Sequence, residues 1–284
     1  MSKITITFEK LKELNKKALI PFITAGDPCP TETVALMNTL VENGADMIEL
    51  GVPFSDPMAD GPVIQRASER ALKNKVGIKD TIKLAKDFRE TNKNTPLILM
   101  GYANPIEAIG VGNFIKLIKD AQIDGVITVD YPPEESKEFV KKLNKEKIDS
   151  IFLLSPTTED DRVKLIAEQA SGFLYYVSLK GVTGAANIDI KQVSEKVKNI
   201  QKYNKLLEKT YIDIPSLSKS GIRINQRKNK KQFRTIFISQ WDKVVTRVFN
   251  NGSWDDGGRF YGGWWQRIPS EHRKQIHFFN TPSS

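Results

Sequence analysis

The first 240 residues contain no tryptophan and no histidine. Chemistry that needs an imidazole is therefore excluded from that stretch, and so is a metal site built on histidine. Cys29 is the only cysteine, which excludes an internal disulfide and suits a reducing cytoplasm. No apolar run reaches the roughly 18 residues that span a bilayer. The polar start MSKITITFEKLKELNKKA lacks the apolar stretch of a secretory signal. No G-x-G-x-x-G follows the first apolar run, so a dinucleotide-binding fold loses support.

What is present divides into two compositions. Residues 201–284 hold Trp241, Trp254, Trp264, Trp265, His272 and His277, with 16 Lys+Arg against 6 Asp+Glu, a net of +10. The whole chain is +9, which leaves −1 for residues 1–200. The basic excess therefore says nothing about the first two thirds. A chain of 284 residues fits one large domain or two ordinary ones. The break near residue 200 predicts a folded unit over 1–204 and a foreign, basic, aromatic-rich segment over 205–284.

Residues 1–204 alternate strand-like and helix-like segments. Apolar runs occupy 18–24, 47–52, 96–101, 125–129, 150–154 and 173–177. They are continuous rather than alternating, as in a parallel sheet covered on both faces. Helical periodicity marks 8–17, 31–43 (closed by Gly44), 63–75, 78–91, 113–121, 134–147, 160–169 and 188–204. Such alternation means α/β, either an open doubly wound sheet or a closed barrel, with the barrel favoured. Two further βα units should follow. Instead residues 216–234 are rich in Ser, Lys, Arg, Asn and Gln. Segments 235–238 and 240–249 and the run NNGSWDDGGRFYGGWWQRIP do not read as βα units. The expected fold is a (β/α)8-type TIM barrel truncated after six βα units, with a gap between strands 1 and 6 and an irregular basic tail. Parallel pairing of both 211–214 and 235–238 with strands 6 and 1, completing an eight-stranded ring, would contradict the truncation.

Three places carry candidate chemistry. Glu49 lies inside the apolar run MIELGV, where desolvation raises a carboxyl's pKa and suits it to general acid/base work. It equally reads as a strand-end acid that reaches solvent or pairs with a lysine. The loop GVPFSDPMADGP, stiffened by three prolines, carries Asp56 and Asp60. Asp56 reads as a turn cap ahead of Pro57; Asp60 either caps Gly-Pro or projects into a pocket above the strands. With no histidine nearby and no dense set of oxygen ligands, the loop is a poor metal site. In YYVSLKGVTGAAN, Gly181 and Gly184 permit close backbone approach and Thr183 adds a hydroxyl; free N–H groups in such a loop can hold a phosphate.

Five ordered segments, PFITAGDP, ADMIELGVPFSDPMADGPVIQ, GYANPI, VDYPPEES and SLKGVTGA, together resemble the tryptophan synthase α-subunit family from about residue 8 to about residue 200. The resemblance implies an eight-stranded βα barrel in the cytoplasm, a lyase of tryptophan biosynthesis. It implies retro-aldol cleavage of indole-3-glycerol phosphate to indole and glyceraldehyde 3-phosphate. Glu49 matches the family's general acid/base, and Asp60 the acid that accepts the indole N–H. Phe22 and Tyr175 match residues lining the indole pocket. Thr183 and Gly184 match the loop that closes over substrate, with the Gly184 N–H near phosphate. The family carries no cofactor in this subunit; pyridoxal phosphate belongs to a β-subunit partner in an α2β2 assembly.

Past residue 205 the family pattern stops. A seventh strand with its Gly-rich loop, and an eighth with a Gly-Ser phosphate loop, are not legible in 205–284. Cleavage would then be impaired. Two other readings follow: a non-catalytic remnant that docks a β subunit, or nucleic-acid binding through the basic tail. His272 and His277, five apart with no cysteine or carboxylate pattern, do not make a metal site.

Overall fold

The six apolar runs supply six parallel strands: β1 (Phe22–Thr24), β2 (Ile48–Gly51), β3 (Leu97–Gly101), β4 (Gly125–Thr128), β5 (Asp149–Leu154) and β6 (Leu174–Val177). The computed structural model describes residues 1–16, 18–155 and 157–177, and the backbone at 210–213, 253–254 and 260–261. Each strand pairs with the next in chain order. The helices are α1 (Lys3–Glu13), α2 (Pro30–Glu42), α3 (Pro62–Lys73), α4 (Ile78–Thr91), α5 (Ala103–Ile109), α6 (Val111–Asp120), α7 (Lys137–Lys145) and α8 (Asp160–Gln169). Two helices, α3 and α4, separate β2 from β3. None of these helices is long and apolar enough to cross a membrane.

The pleat sorts side chains into two layers. Ile23, Ile48, Leu50, Leu97, Leu99 and Val126 pack outward against the helices. Met47, Ile98, Ile127, Ile151, Phe173 and Tyr175 form a separate inner cluster. A sheet buried on both faces, with an inner cluster of its own, is barrel construction. Helix α1 closes the inner cluster at the N-terminal ends of the strands. Its Ile4, Phe8 and Leu11 pack there, and Phe8 meets Phe173 edge-on at 5.7 Å. Gly125 permits this approach, because a Cβ on it would lie 2.9 Å from Ile4 Cδ1. Ser2 starts the helix by accepting the Thr5 N–H at 3.2 Å.

The barrel-type reading holds, with one correction at its edge. A seventh strand, β7 (Thr210–Asp213), pairs in parallel with β6 from Leu174↔Thr210 to Val177↔Asp213. The edge expected at strand 6 is therefore covered, and the sheet has seven strands rather than six. TYID has only two apolar residues, Tyr211 and Ile212, between polar ends, so it lacks the longer continuous apolar run that marked the other strands. Among the described residues no strand joins β7 to β1. The tail is also not wholly irregular: β8 (Ser253–Trp254) and β9 (Phe260–Tyr261) pair antiparallel. The expected helix at 188–204 and the segments 235–238 and 240–249 lie outside the described residues.

One buried ion pair ties α1, α4, β3 and β4 together at the N-terminal face. Arg89, 4% exposed, meets Asp124 Oδ2 through Nη2. Its other donors reach backbone carbonyls of Gln122 (3.0 Å), Thr95 (2.7 Å) and Asn92 (3.2 Å). Asp124 Oδ2 also accepts the Leu97 N–H at 2.9 Å, and Lys3 lies 3.4 Å from Oδ1. Burial pulls the Arg89 guanidinium below its ordinary pKa, while Asp124 opposes that shift. Removing one partner strands a buried charge, at a cost of about 3–5 kcal/mol. Asp124→Ala should therefore lower unfolding stability by that amount in urea titration. An unchanged midpoint would show that the pair carries no net stability.

Candidate active site

Strand β2 carries the first acid. Its four residues are all buried, and Glu49 is 1% exposed. With Ile48 and Leu50 in the outer layer, the pleat turns Glu49 inward with Met47. Register sets it between Phe22 on β1 and Ile98 on β3. Phe22 therefore shares the inner face. Its ring lies over Gly51, where a Cβ would come within 2.4 Å of Phe22 Cζ. Glycine at 51 is what lets an aromatic ring lie beside the acid. Tyr175 on β6, 5% exposed, belongs to the same inner cluster.

The second acid follows the same strand. After β2 the loop turns twice, with the Met58 N–H donating to Asp56 O at 2.8 Å and the Asp60 N–H to Pro57 O at 3.0 Å. Asp60 then precedes Gly61 and helix α3. It does not cap that helix: no side chain caps α3 at Gly61. Instead Asp60 Oδ2 accepts the Tyr102 hydroxyl at 2.9 Å. The same phenol oxygen accepts the Ala59 N–H at 3.1 Å. Tyr102, 3% exposed, packs on Phe54 with ring centroids 5.2 Å apart. Burial pushes the Asp60 carboxyl up to about 6, against the lowering effect of the Tyr102 bond. Burial and the neighbouring Asp60 charge push the Tyr102 phenol up in turn.

Four of the six candidate residues are thus placed. Glu49, Phe22 and Tyr175 share the inner face of the sheet, and Asp60 sits in the loop that leaves the Glu49 strand. Thr183 and Gly184 lie outside the described residues. Asp56 is exposed and accepts from its neighbour Ser55, as a loop residue would. Sequence reasoning missed Tyr102. Its signal was an aromatic hydroxyl directly after Gly101, the last residue of β3. Two carboxyls in different settings, one enclosed and one titrating near 6, are what proton donation beside an ionised acceptor requires.

Comparison with known proteins gives a consistent result. The family model described as "Tryptophan synthase alpha chain" matches residues 8–210, ending at the first residue of β7. The chain is similar to the tryptophan synthase alpha chain of Nitrosomonas europaea, 54% identical over 226 residues, which covers 80% of this chain and 79% of that protein. It is 59% identical over 206 residues to the corresponding protein of Janthinobacterium sp. (strain Marseille), covering 72% and 78%. Among solved structures, it resembles tryptophan synthase subunit alpha from Legionella pneumophila str. Paris, with 44% identity and a TM-score of 0.68. That match covers 75% of this chain and 78% of that one.

The site generates a pH prediction. The Asp60 pKa rises on folding from 3.8 to about 6, so the fold favours its protonated form. That contribution to stability is fully present below about pH 4 and is lost as pH rises through about 6. Asp60→Asn should flatten this part of the stability profile. Tyr102→Phe removes the bond that holds the carboxyl down, so the Asp60 titration should move upward by about half a unit or more. Carbon-13 carboxyl NMR reads both effects. A Tyr102→Phe titration at or below the parent's would contradict the assigned role of the phenol.

Proposed function

The chain belongs to the tryptophan synthase alpha chain family, and from that premise we propose that it cleaves indole-3-glycerol phosphate to indole and glyceraldehyde 3-phosphate. The observation that carries this reading is the enclosed carboxyl of Glu49, 1% exposed, in register with the Phe22 ring. The indole lies against Phe22 and Tyr175. Ionised Asp60 accepts the indole N–H and stabilises the positive charge that grows as the ring is protonated. Glu49 delivers a proton to ring carbon C3. The bond from C3 to the glycerol chain then breaks, its electron pair returning to the ring. The side-chain hydroxyl on the departing carbon gives its proton to the Glu49 carboxylate, which restores the acid, and becomes the aldehyde. One proton enters and one leaves, so no cofactor is required in this chain.

The reading extends to partners. We place the chain in the cytoplasm with a β subunit in an α2β2 assembly, the pyridoxal phosphate being held by that partner. Thr183 and Gly184 are assigned to the loop over the substrate, with the Gly184 N–H on phosphate. Barrels of this class generally hold phosphate with loops after strands 7 and 8. With those loops not legible past residue 205, phosphate falls mainly to Gly184, and cleavage is impaired relative to a full barrel.

A second reading concerns residues 201–284. Their net charge of +10 and the β8–β9 register, which sets Trp254 opposite Phe260, favour single-stranded nucleic acid held by stacking and phosphate contacts. All four tryptophans lie in this segment, so tryptophan emission reports on it alone. Salt-sensitive quenching by an oligothymidylate would support this reading, and unchanged emission at low salt would reject it.

Glu49→Gln keeps the side chain's shape and removes its proton. It should lower cleavage by about 10²–10⁴-fold in an indole-release assay. A variant as fast as the parent would remove Glu49 from the mechanism. Calorimetry with glycerol phosphate should show weak binding, well above the micromolar range. Micromolar affinity would mean that the tail supplies a phosphate site. Because Asp60 acts ionised, kcat/KM should rise with pH through about 6. A flat profile from pH 5 to 7 would contradict that role.

A further inference from the structure

We propose that Arg70 and Asp27 form a clamp that sets the position of Asp60 from the far end of helix α3, making both positioning residues for the cleavage. The inference rests on the role given to Asp60 above.

Helix α3 begins one residue after Gly61 and runs for 12 residues, about 18 Å. It is the first of the two helices between β2 and β3. Its start has no side-chain cap. Its end is held at several points. Arg70 Nε donates to Asp27 Oδ1 at 2.6 Å and Nη2 to Oδ2 at 2.9 Å, a bidentate pair. Asn74, which ends the helix, donates through Nδ2 to Pro28 O at 2.9 Å and Gly26 O at 3.3 Å. Val76 packs so closely on Gly26 that a Cβ there would lie 2.6 Å from Val76 Cγ2. The Gly26 N–H is itself fixed by Thr33 Oγ1 at 3.0 Å.

These contacts fasten the end of α3 to the loop that leaves β1, the strand that carries Phe22. A helix transmits position along its length as a stiff element. Fixing its end on the β1 loop therefore sets where its start, and Asp60, lie relative to Phe22 and Glu49. The loop before α3 is exposed at Ser55, Asp56 and Met58, Met58 at 72%, so the Tyr102 contacts to Ala59 and Asp60 and the anchored helix share the constraint. Asp27 is 4% exposed, so its carboxylate depends on the guanidinium. Arg70's side chain is 49% exposed and fills no part of the core, so its replacement leaves packing intact. A planar fork bonds both carboxylate oxygens; a lysine ammonium cannot reproduce that geometry.

The test uses the full chain with Arg70→Lys, Arg70→Met and the exchange Asp27→Arg/Arg70→Asp. Three readouts are taken: kcat and KM for indole-3-glycerol phosphate, the Asp60 carboxyl titration by NMR, and the thermal midpoint. Displacement of about an ångström costs on the order of 10²-fold in rate. We expect kcat to fall about tenfold or more in Arg70→Lys, with a smaller change in KM, in a chain that remains folded. The Asp60 titration should move down from about 6 as water reaches the start of α3. The exchange should recover part of both effects. An unchanged Asp60 titration with a lowered midpoint would reduce the pair to a structural tie and overturn the proposal. If the parent released no indole, the proposed reaction would fail, while the titration would still decide on the clamp.

Discussion

The enclosure of one carboxyl in a four-residue strand is the constraint on which the rest of the site depends. Taking Glu49 out of water is costly, and a group so placed is held by its surroundings rather than by solvent. The strand tolerates it because its other face is fully apolar. Ile48 and Leu50 bury outward against the helices and fix the pleat. A slip of one residue would turn the acid into the helix layer and send Ile48 and Leu50 inward. The parallel register with β1 and β3 prevents that slip. The same register brings Phe22 alongside, and Gly51 makes room for its ring.

Around that fixed acid the mouth of the barrel is assembled from less constrained parts. Asp60 leaves the same strand nine residues after Gly51 and would be free to wander on an exposed loop. Tyr102, from the neighbouring β3, gathers it by accepting the Ala59 N–H and donating to the carboxylate. Strand order therefore gathers the candidate site: β2 and the loop after it supply the two acids, the residue after β3 supplies the phenol that steadies one of them, and β1 supplies the aromatic wall. The N-terminal face is handled differently. There α1 and the Arg89–Asp124 pair close the structure with groups that have no role at the mouth. A division between a stabilising face and a face that carries the candidate acids is the usual logic of βα barrels.

Much of this was legible in the chain. Helices α4 and α8 coincide with their sequence patterns, 78–91 and 160–169, because each has a regular apolar stripe and a clear start; α4 begins at Gly77, whose N–H is taken by Asp80. Glu49 and Asp60 stood out because acids are rare beside apolar strands. The run at 18–24 shrank to Phe22–Thr24, the residues in ladder register with β2, although the Pro21 carbonyl still accepts the Glu49 N–H at 2.9 Å. Helix α5 was unreadable because Asn104-Pro105 looks like a turn, although proline is tolerated in a first helical turn. Tyr102 and Asp27 acquire their roles only when distant segments meet, which no local pattern encodes. Strand β7 was legible only as the possible pairing segment 211–214, because its apolar run is just Tyr211 and Ile212.

The most direct test of the account is cleavage of indole-3-glycerol phosphate by the full chain in deuterium oxide. Protonation at C3 before the carbon–carbon bond breaks predicts free indole carrying one deuterium at C3, with an equal amount of glyceraldehyde 3-phosphate. Absence of indole, or indole without deuterium at C3, would contradict it.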